Sequence, residues 1–174
     1  MHRRLHCASN PLLLGLLWGI SILLALAGGY FAASYFRLAP APFERAFVTI
    51  ALDGDTIQRD GGEIVRYIGI DTPETMHPDK PVECFGHEAT DRNRQLVEGK
   101  YVELMRGTED RDQYGRLLRY VFVDGVFVNA ELITEGYARQ YGYGVERRFQ
   151  QVFVQLEQYS IGRKNGLWGA CPQE

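Results

Sequence analysis

Four carboxylates and two arginines carry the chemistry this sequence can do. They are Asp53, Asp55, Asp71 and Glu74, with Arg66 among them and Arg116 further on. Asp55 opens one expected strand and Asp71 closes the next, in a hairpin that turns at Asp60-Gly61-Gly62. Folding the hairpin sets those two ends side by side. Two carboxylates at adjacent strand ends, with no lysine beside them, make a hard oxygen site suited to Ca²⁺ or Mg²⁺. Asp53, within Asp-Gly, reads as a turn former as readily as a ligand. By strand alternation Arg66 shares a face with Ile64, Ile68 and Ile70, and an arginine on an apolar face needs an anion. A structural salt bridge or a phosphate could supply it. Arg116 follows Gln113-Tyr114-Gly115, with Asp112 close enough to orient it. Two guanidiniums around one phosphodiester offer paired donors to oxygens that gain charge in the transition state, a task lysine does less well. Glu74 sits in a loop stiffened by Pro73, where it could take a proton from water and aim that water at phosphorus. His77 and His87 have no metal-ligand spacing with the cysteines, so no zinc site is read.

The elements that must position these residues are short strands with clear turn signals. Phe47 to Leu52, Asp55 to Arg59 and Glu63 to Ile70 read as three strands, the last two joined by the glycine turn. Glu83 to Val97 reads as a helix with Phe85, Ala89 and Leu96 near one face, ended by Gly99. Tyr101 to Arg106 and Leu117 to Val123 are two further strands, and Asp124-Gly125 turns into the run Val126 to Val128. Asn129 is expected to cap a short helix that stops at Gly136. A last helix is expected from about Val145 to Ile161, with Phe149, Val152, Phe153, Leu156 and Tyr159 at helical spacing. The fold expected is α+β with a mostly β core: a five-stranded OB-type barrel with three helices, preceded by one N-terminal hydrophobic helix.

That N-terminal segment has no charged side chain from Pro11 to Phe36, while Arg3 and Arg4 precede it. Its length suits a membrane anchor with the N-terminus in the cytoplasm. A signal peptide with Leu12 to Leu24 as apolar region and cleavage near Ala27 is the competing reading. Both export the rest of the chain. The expected organisation is residues 1–37 as anchor or signal, 38–45 as linker through Ala39-Pro40-Ala41-Pro42, and 46–174 as the folded domain. Beyond residue 37 there are 16 Lys and Arg against 22 Asp and Glu, a net charge of −6. An acidic domain has no general pull on a polyanion, so any phosphate must be held by local arginines or a metal. Outside the cytoplasm Cys84 and Cys171 could persist as a disulfide that pins the C-terminal tail to the start of the first helix.

The ordered motifs Asp53-Gly54-Asp55-Thr56, Arg66, Ile70-Asp71-Thr72-Pro73-Glu74-Thr75 and Asp112-Gln113-Tyr114-Gly115-Arg116 resemble the staphylococcal nuclease family. Gly86-His87-Glu88-Ala89 and Gly166-Leu167-Trp168 extend the likeness, which runs from about Phe47 to Trp168. The resemblance implies an OB barrel with three helices and Ca²⁺ held by Asp55, Asp71 and the backbone carbonyl of Thr72. It implies Glu74 as general base or orienter of the attacking water, and Arg66 and Arg116 as the phosphate clamp. It further implies cleavage of DNA and RNA between phosphorus and the 5′ oxygen, leaving 3′-phosphate ends. Tyr114, Tyr141 and Tyr143 are candidates for contact with the nucleotide. The best-known member is basic where this domain is acidic, and Gln113 stands where that member has lysine. A binding module without catalysis and a phosphodiesterase for small nucleotides are the competing functions.

Overall fold

A computed structural model of the chain describes residues 43–75, 81–142 and 148–172. The expected N-terminal anchor and Tyr143 lie outside the described residues. Among the described residues no helix is long and apolar enough to cross a membrane.

The described residues form eight strands: β1 (Phe43–Ala51), β2 (Thr56–Arg59), β3 (Ile64–Tyr67), β4 (Ile70–Asp71), β5 (Tyr101–Arg111), β6 (Leu117–Val123), β7 (Val126–Phe127) and β8 (Arg139–Gln140). The main sheet runs β3-β2-β1-β5-β6-β7, and a parallel β3–β6 pairing closes β1, β2, β3, β5 and β6 into a barrel. The result is the OB-type barrel the turn pattern predicts. Closure removes the free edges of β3 and β6, which would otherwise leave unpaired backbone groups. Asp124 and Gly125 both take positive φ, 49° and 80°, as a tight turn between β6 and β7 requires.

Two strands exceed their expected bounds. β1 starts at Phe43, inside the stretch read as linker, because Phe43 to Phe47 pair with Met105 to Tyr101 of β5. β5 continues to Arg111 rather than stopping at Arg106. The strand expected over Glu63 to Ile70 is two pieces. Gly69, at φ 79°, breaks it, and β4 leaves the barrel to pair with β8. A Cβ on Gly69 would lie 2.7 Å from the Phe153 ring, so both backbone and packing demand glycine.

The helices are α1 (Gly86–Val97), α2 (Val128–Thr134), α3 (Gln150–Arg163) and the four-residue α4 (Leu167–Ala170), a turn that no periodicity in the sequence announces. α1 begins three residues later than expected, and Phe85 is its left-handed N-cap. Asn129 does not cap α2, whose N-cap is Phe127. Asn129 is fully buried instead: its Oδ1 accepts the Val121 N–H and its Nδ2 donates to the Ile68 carbonyl, each at 2.9 Å. In α3 only part of the expected apolar face is inward. Phe153 is buried and Phe149 and Leu156 pack against the core, while Val152 and Tyr159 are exposed. The core holds Val48, Ile57, Val65, Tyr67, Leu104, Val121, Leu132 and Ile133, each large side chain stabilising the fold by about 1.5–3 kcal/mol.

Candidate active site

The mouth of the β2–β3 hairpin gathers the acids. Asp55 is 4% exposed, at the residue before β2. Its Oδ1 accepts the Thr56 hydroxyl at 3.1 Å and its Oδ2 accepts the Thr72 N–H at 2.9 Å. The second bond fixes the loop after β4 to the start of β2. Gly54 lets them approach: a Cβ there would lie 2.6 Å from Thr72 Oγ1. Asp53 holds the turn by accepting the Asp55 N–H on Oδ1 at 3.0 Å. From behind, the buried Asn93 of α1 donates to the Asp53 carbonyl at 2.8 Å and accepts the Tyr67 hydroxyl at 2.9 Å.

Arg66 pairs across the hairpin with Thr56 and reaches both acids. Nη1 forms an ion pair with Asp55 Oδ2, and Nη2 reaches Asp71 Oδ1 at 2.6 Å. Its position bears out the face shared with Ile64, but that face does not continue through Ile68 and Ile70, because β3 ends at Tyr67. Val65 and Tyr67 point into the core, Ile64 and Arg66 to the other side, and the break at Gly69 buries Ile68 and Ile70. Burial alone would lower the Arg66 pKa, but the charges of Asp55, Asp71 and Asp53 outweigh it and raise it. The guanidinium is therefore a fixed cation.

One guanidinium faces three carboxylates. Burial, and next the charge of Asp55, push the Asp53 carboxyl from 3.8 up to about 7. Asp71, whose side chain is 53% exposed, is also raised, by burial first, with Arg66 opposing and Asp55 adding to the rise. Such a site has excess negative charge and favours a further cation, and its donors are all hard oxygens. Among the described residues no three acidic, histidine or cysteine side chains already converge on one point, and Arg66 spans the two acids that would serve as ligands.

Glu74 lies in the loop after β4. Its Oε1 accepts the Thr75 N–H at 2.9 Å, its N–H donates to Glu83 Oε2 at 3.1 Å, and its carbonyl accepts the Glu83 N–H at 2.9 Å. Arg116 comes from the turn between β5 and β6. Asp112 accepts the Arg116 N–H at 3.0 Å and its Nε at 2.6 Å, and the guanidinium stands 5.5 Å from the Tyr114 ring centroid.

All six residues expected as catalytic or metal-binding line one cavity of about 180 Å³: Asp55, Arg66, Asp71, Thr72, Glu74 and Arg116, with Asp53, Thr56 and Pro73. A second cavity of about 330 Å³ shares Arg66, Asp71 and Arg116 with it. There the walls include Tyr114 and Tyr141, 75% and 49% exposed, together with Thr108, Glu109 and Gln113. Sequence reasoning missed Asn93 and Glu83, whose partners are 40 and 9 residues away and carry no local signal. It left Asp53 undecided, although the Asp-x-Asp spacing was the available signal. Cys84 and Cys171 are bonded, with Cα atoms 5.9 Å apart.

A family profile described as Staphylococcal nuclease homologue matches residues 64–170. The chain is 41% identical over 123 residues to the SPbeta prophage-derived endonuclease YokF of Bacillus subtilis (strain 168), covering 68% of this chain and 42% of that protein. It is 40% identical over 123 residues to Endonuclease YncB of the same organism, covering 68% and 58%. It is 35% identical over 120 residues to the Thermonuclease of Staphylococcus hyicus, covering 67% and 71%. The chain thus spans about half the length of the two Bacillus endonucleases. With the barrel, the acid-lined cavity and these matches taken together, the chain belongs to the staphylococcal nuclease family.

Proposed function

We propose that this protein is a divalent-metal-dependent endonuclease that hydrolyses phosphodiester bonds of DNA and RNA. The observation that carries the reading is the shared cavity: two arginines, a carboxylate cluster and Glu74 open onto one space of about 180 Å³. The names of the relatives, endonuclease and thermonuclease, support it.

The residues divide the work by charge. Arg66 and Arg116 bind the non-bridging phosphate oxygens and stabilise the charge that grows there as phosphorus becomes five-coordinate. Asp112 holds Arg116 by two hydrogen bonds, so little side-chain freedom is lost on binding. Glu74 accepts the proton of the attacking water. The bond from phosphorus to the 5′ oxygen breaks, and the products carry 3′-phosphate ends. Tyr114 and Tyr141, on the adjoining wall, offer faces to the flanking nucleotide, and Tyr143 is assigned the same role. Asp55, Asp71 and the Thr72 carbonyl would hold Ca²⁺, with Mg²⁺ the other ion their oxygen chemistry suits. Such an ion, when bound, would polarise a phosphoryl oxygen as a Lewis acid.

The same proposal puts the domain outside the cytoplasm, held by residues 11–36 or released by cleavage near Ala27. The Cys84–Cys171 bond supports this, since disulfides persist in oxidising compartments. Fractionation should find the domain in the membrane, periplasmic or secreted fraction, and its recovery in the cytoplasmic fraction alone would refute the placement.

Cleavage of single-stranded DNA by the purified protein in Ca²⁺, in Mg²⁺ and in chelator, beside Glu74→Gln, tests the reaction. Cleavage that needs the metal and falls by orders of magnitude in the variant supports it. No cleavage under any metal, from folded protein, rejects it for polynucleotides. The acidic charge balance favours one other substrate class, small nucleotides, and a dinucleotide phosphodiester assayed beside a long duplex separates the two.

A further inference from the structure

The loop that carries Glu74 is gripped from outside the barrel by the segment leading into α1. Glu83 and Glu74 exchange two hydrogen bonds, the Glu83 N–H to the Glu74 carbonyl and the Glu74 N–H to the Glu83 carboxylate. Gly86 packs against the same loop: a Cβ there would lie 2.8 Å from Thr75 Cγ2 and 3.2 Å from the carbonyl oxygens of Pro73 and Glu74. Between them Phe85 takes a left-handed backbone, φ 72°, and stacks on Tyr137 at 5.3 Å. Such a conformation costs a bulky residue on the order of 1 kcal/mol and persists only where the surroundings enforce it. Cys84 lies in the middle of this segment, and its bond to Cys171 joins the segment to the end of α4. α4 is itself fixed, since the Leu167 N–H donates to the Gly136 carbonyl at 2.9 Å beyond α2. A chain of contacts thus runs from the end of α2 through α4, the disulfide and Glu83 to the backbone of Glu74.

We propose that Glu83 is a positioning residue for Glu74 and that the Cys84–Cys171 bond holds Glu83 in place, so that the protein cleaves its substrate when oxidised and slows when that bond is reduced. The inference rests on the reading of Glu74 as the group that activates water. Glu83 does not line the cavity that holds the candidate residues, and it acts on Glu74 through the Glu74 backbone. A general base must be held within hydrogen-bond reach of the proton it takes, and a displacement of about 1 Å can slow a reaction a hundredfold. Reduction takes two electrons and two protons from a dithiol, which closes to its own cyclic disulfide and leaves thiols on Cys84 and Cys171. Cys84 is exposed, so a small dithiol can reach the bond.

The test uses the full chain on a single-stranded oligonucleotide in Ca²⁺. With the disulfide intact, Glu83→Ala should lower kcat about tenfold and leave KM within about twofold. Glu83→Gln still offers an oxygen to the Glu74 N–H and should recover most of the loss. Dithiothreitol should slow the wild type similarly and add little to Glu83→Ala, because both perturbations act on one loop. Hydrogen exchange at the Glu74 and Thr75 amides should quicken on reduction while that of Val121 in β6 does not. Wild-type kcat in Glu83→Ala would overturn the proposal, as would a reduced, folded protein that cleaves at the oxidised rate with Glu74 equally protected. If the oxidised wild type cleaves nothing under any metal, the reading of Glu74 has failed instead, and the exchange data still decide whether the bond holds the loop.

Discussion

Replacing Asp53 by asparagine should make the metal-free protein more stable at pH 8, although it removes a residue of the candidate site. Asp53 is buried beside Asp55 and its carboxyl is pushed from 3.8 up to about 7. The folded state therefore holds the proton more tightly than the unfolded chain does. Between about pH 4 and pH 7 the native state binds more protons than the unfolded state, so stability falls as pH rises through that window. The penalty is absent below pH 4 and complete above pH 7. A tenfold difference in proton affinity between the two states corresponds to about 1.36 kcal/mol, so the charged Asp53 destabilises the metal-free protein by up to about 4 kcal/mol at pH 8. Asparagine keeps an oxygen for the Asp55 N–H, which the structure places 3.0 Å from Asp53 Oδ1.

Urea melts in chelator at closely spaced pH values from pH 4 to pH 8 measure this. The wild type should lose stability across the window, and Asp53→Asn should follow a shallower curve that lies about 2–4 kcal/mol higher at pH 8. Saturating Ca²⁺ should then stabilise the wild type more than the variant, because a ligand of the native state adds stability according to its affinity. The same slope in both proteins, or a variant less stable at pH 8, would refute the reasoning, since Asp53 would then carry no destabilising charge in the fold.

Three further outcomes follow from the geometry. Arg66→Lys loses the fork that spans Asp55 and Asp71, and kcat/KM for single-stranded DNA should fall about 10²–10³-fold with the melting temperature little changed. Gly54→Ala places a Cβ 2.6 Å from Thr72 Oγ1, so it should destabilise the fold by about 1–3 kcal/mol in urea and raise the Ca²⁺ concentration needed for half-maximal rate. Cys84→Ser with Cys171→Ser opens a loop with a sequence separation of 87, and urea melts should show a loss of about 4 kcal/mol.

The parts of this fold that could be read from sequence are those whose cause is local. Gly61-Gly62 and Asp124-Gly125 mark hairpins because few residues take those backbone angles, and the strands on either side appear where the turns require them. The carboxylates share that advantage in part: Asp55 and Arg66 face each other across one tight hairpin, but Asp71 lies in β4 beyond the break at Gly69, and Arg66 and the Thr72 N–H tie its segment to Asp55. Arg116 could not be placed that way. It reaches the cavity because β6 pairs in parallel with β3, Arg66 opposite Leu118, and nothing near Arg116 encodes that closure. Asn129 failed as a cap for the same reason. Its side chain satisfies Val121 and the Ile68 carbonyl, the latter 61 positions away, and a local rule cannot see such partners.

The division has a physical consequence for the site. Apart from Arg66 on β3 and Asp71 at the end of β4, the groups that would touch substrate or metal sit on turns and loops, where backbone type is written in glycine, proline and aspartate. The groups that hold them, Asn93 behind Asp53 and Glu83 behind Glu74, sit on or beside α1 and act by single hydrogen bonds across the fold. A side chain in the second set differs from a solvated or core residue only by its partner's position. Altering α1 should therefore change the cavity without touching any residue that lines it. Asn93→Ala would leave the Asp53 carbonyl and the Tyr67 hydroxyl without their present partners, each at a cost of about 1–3 kcal/mol if buried. The turn that carries Asp53 and Asp55 would lose its support from α1, while the hydrogen bonds and ion pairs of Arg66, Glu74 and Arg116 described above involve no atom of Asn93.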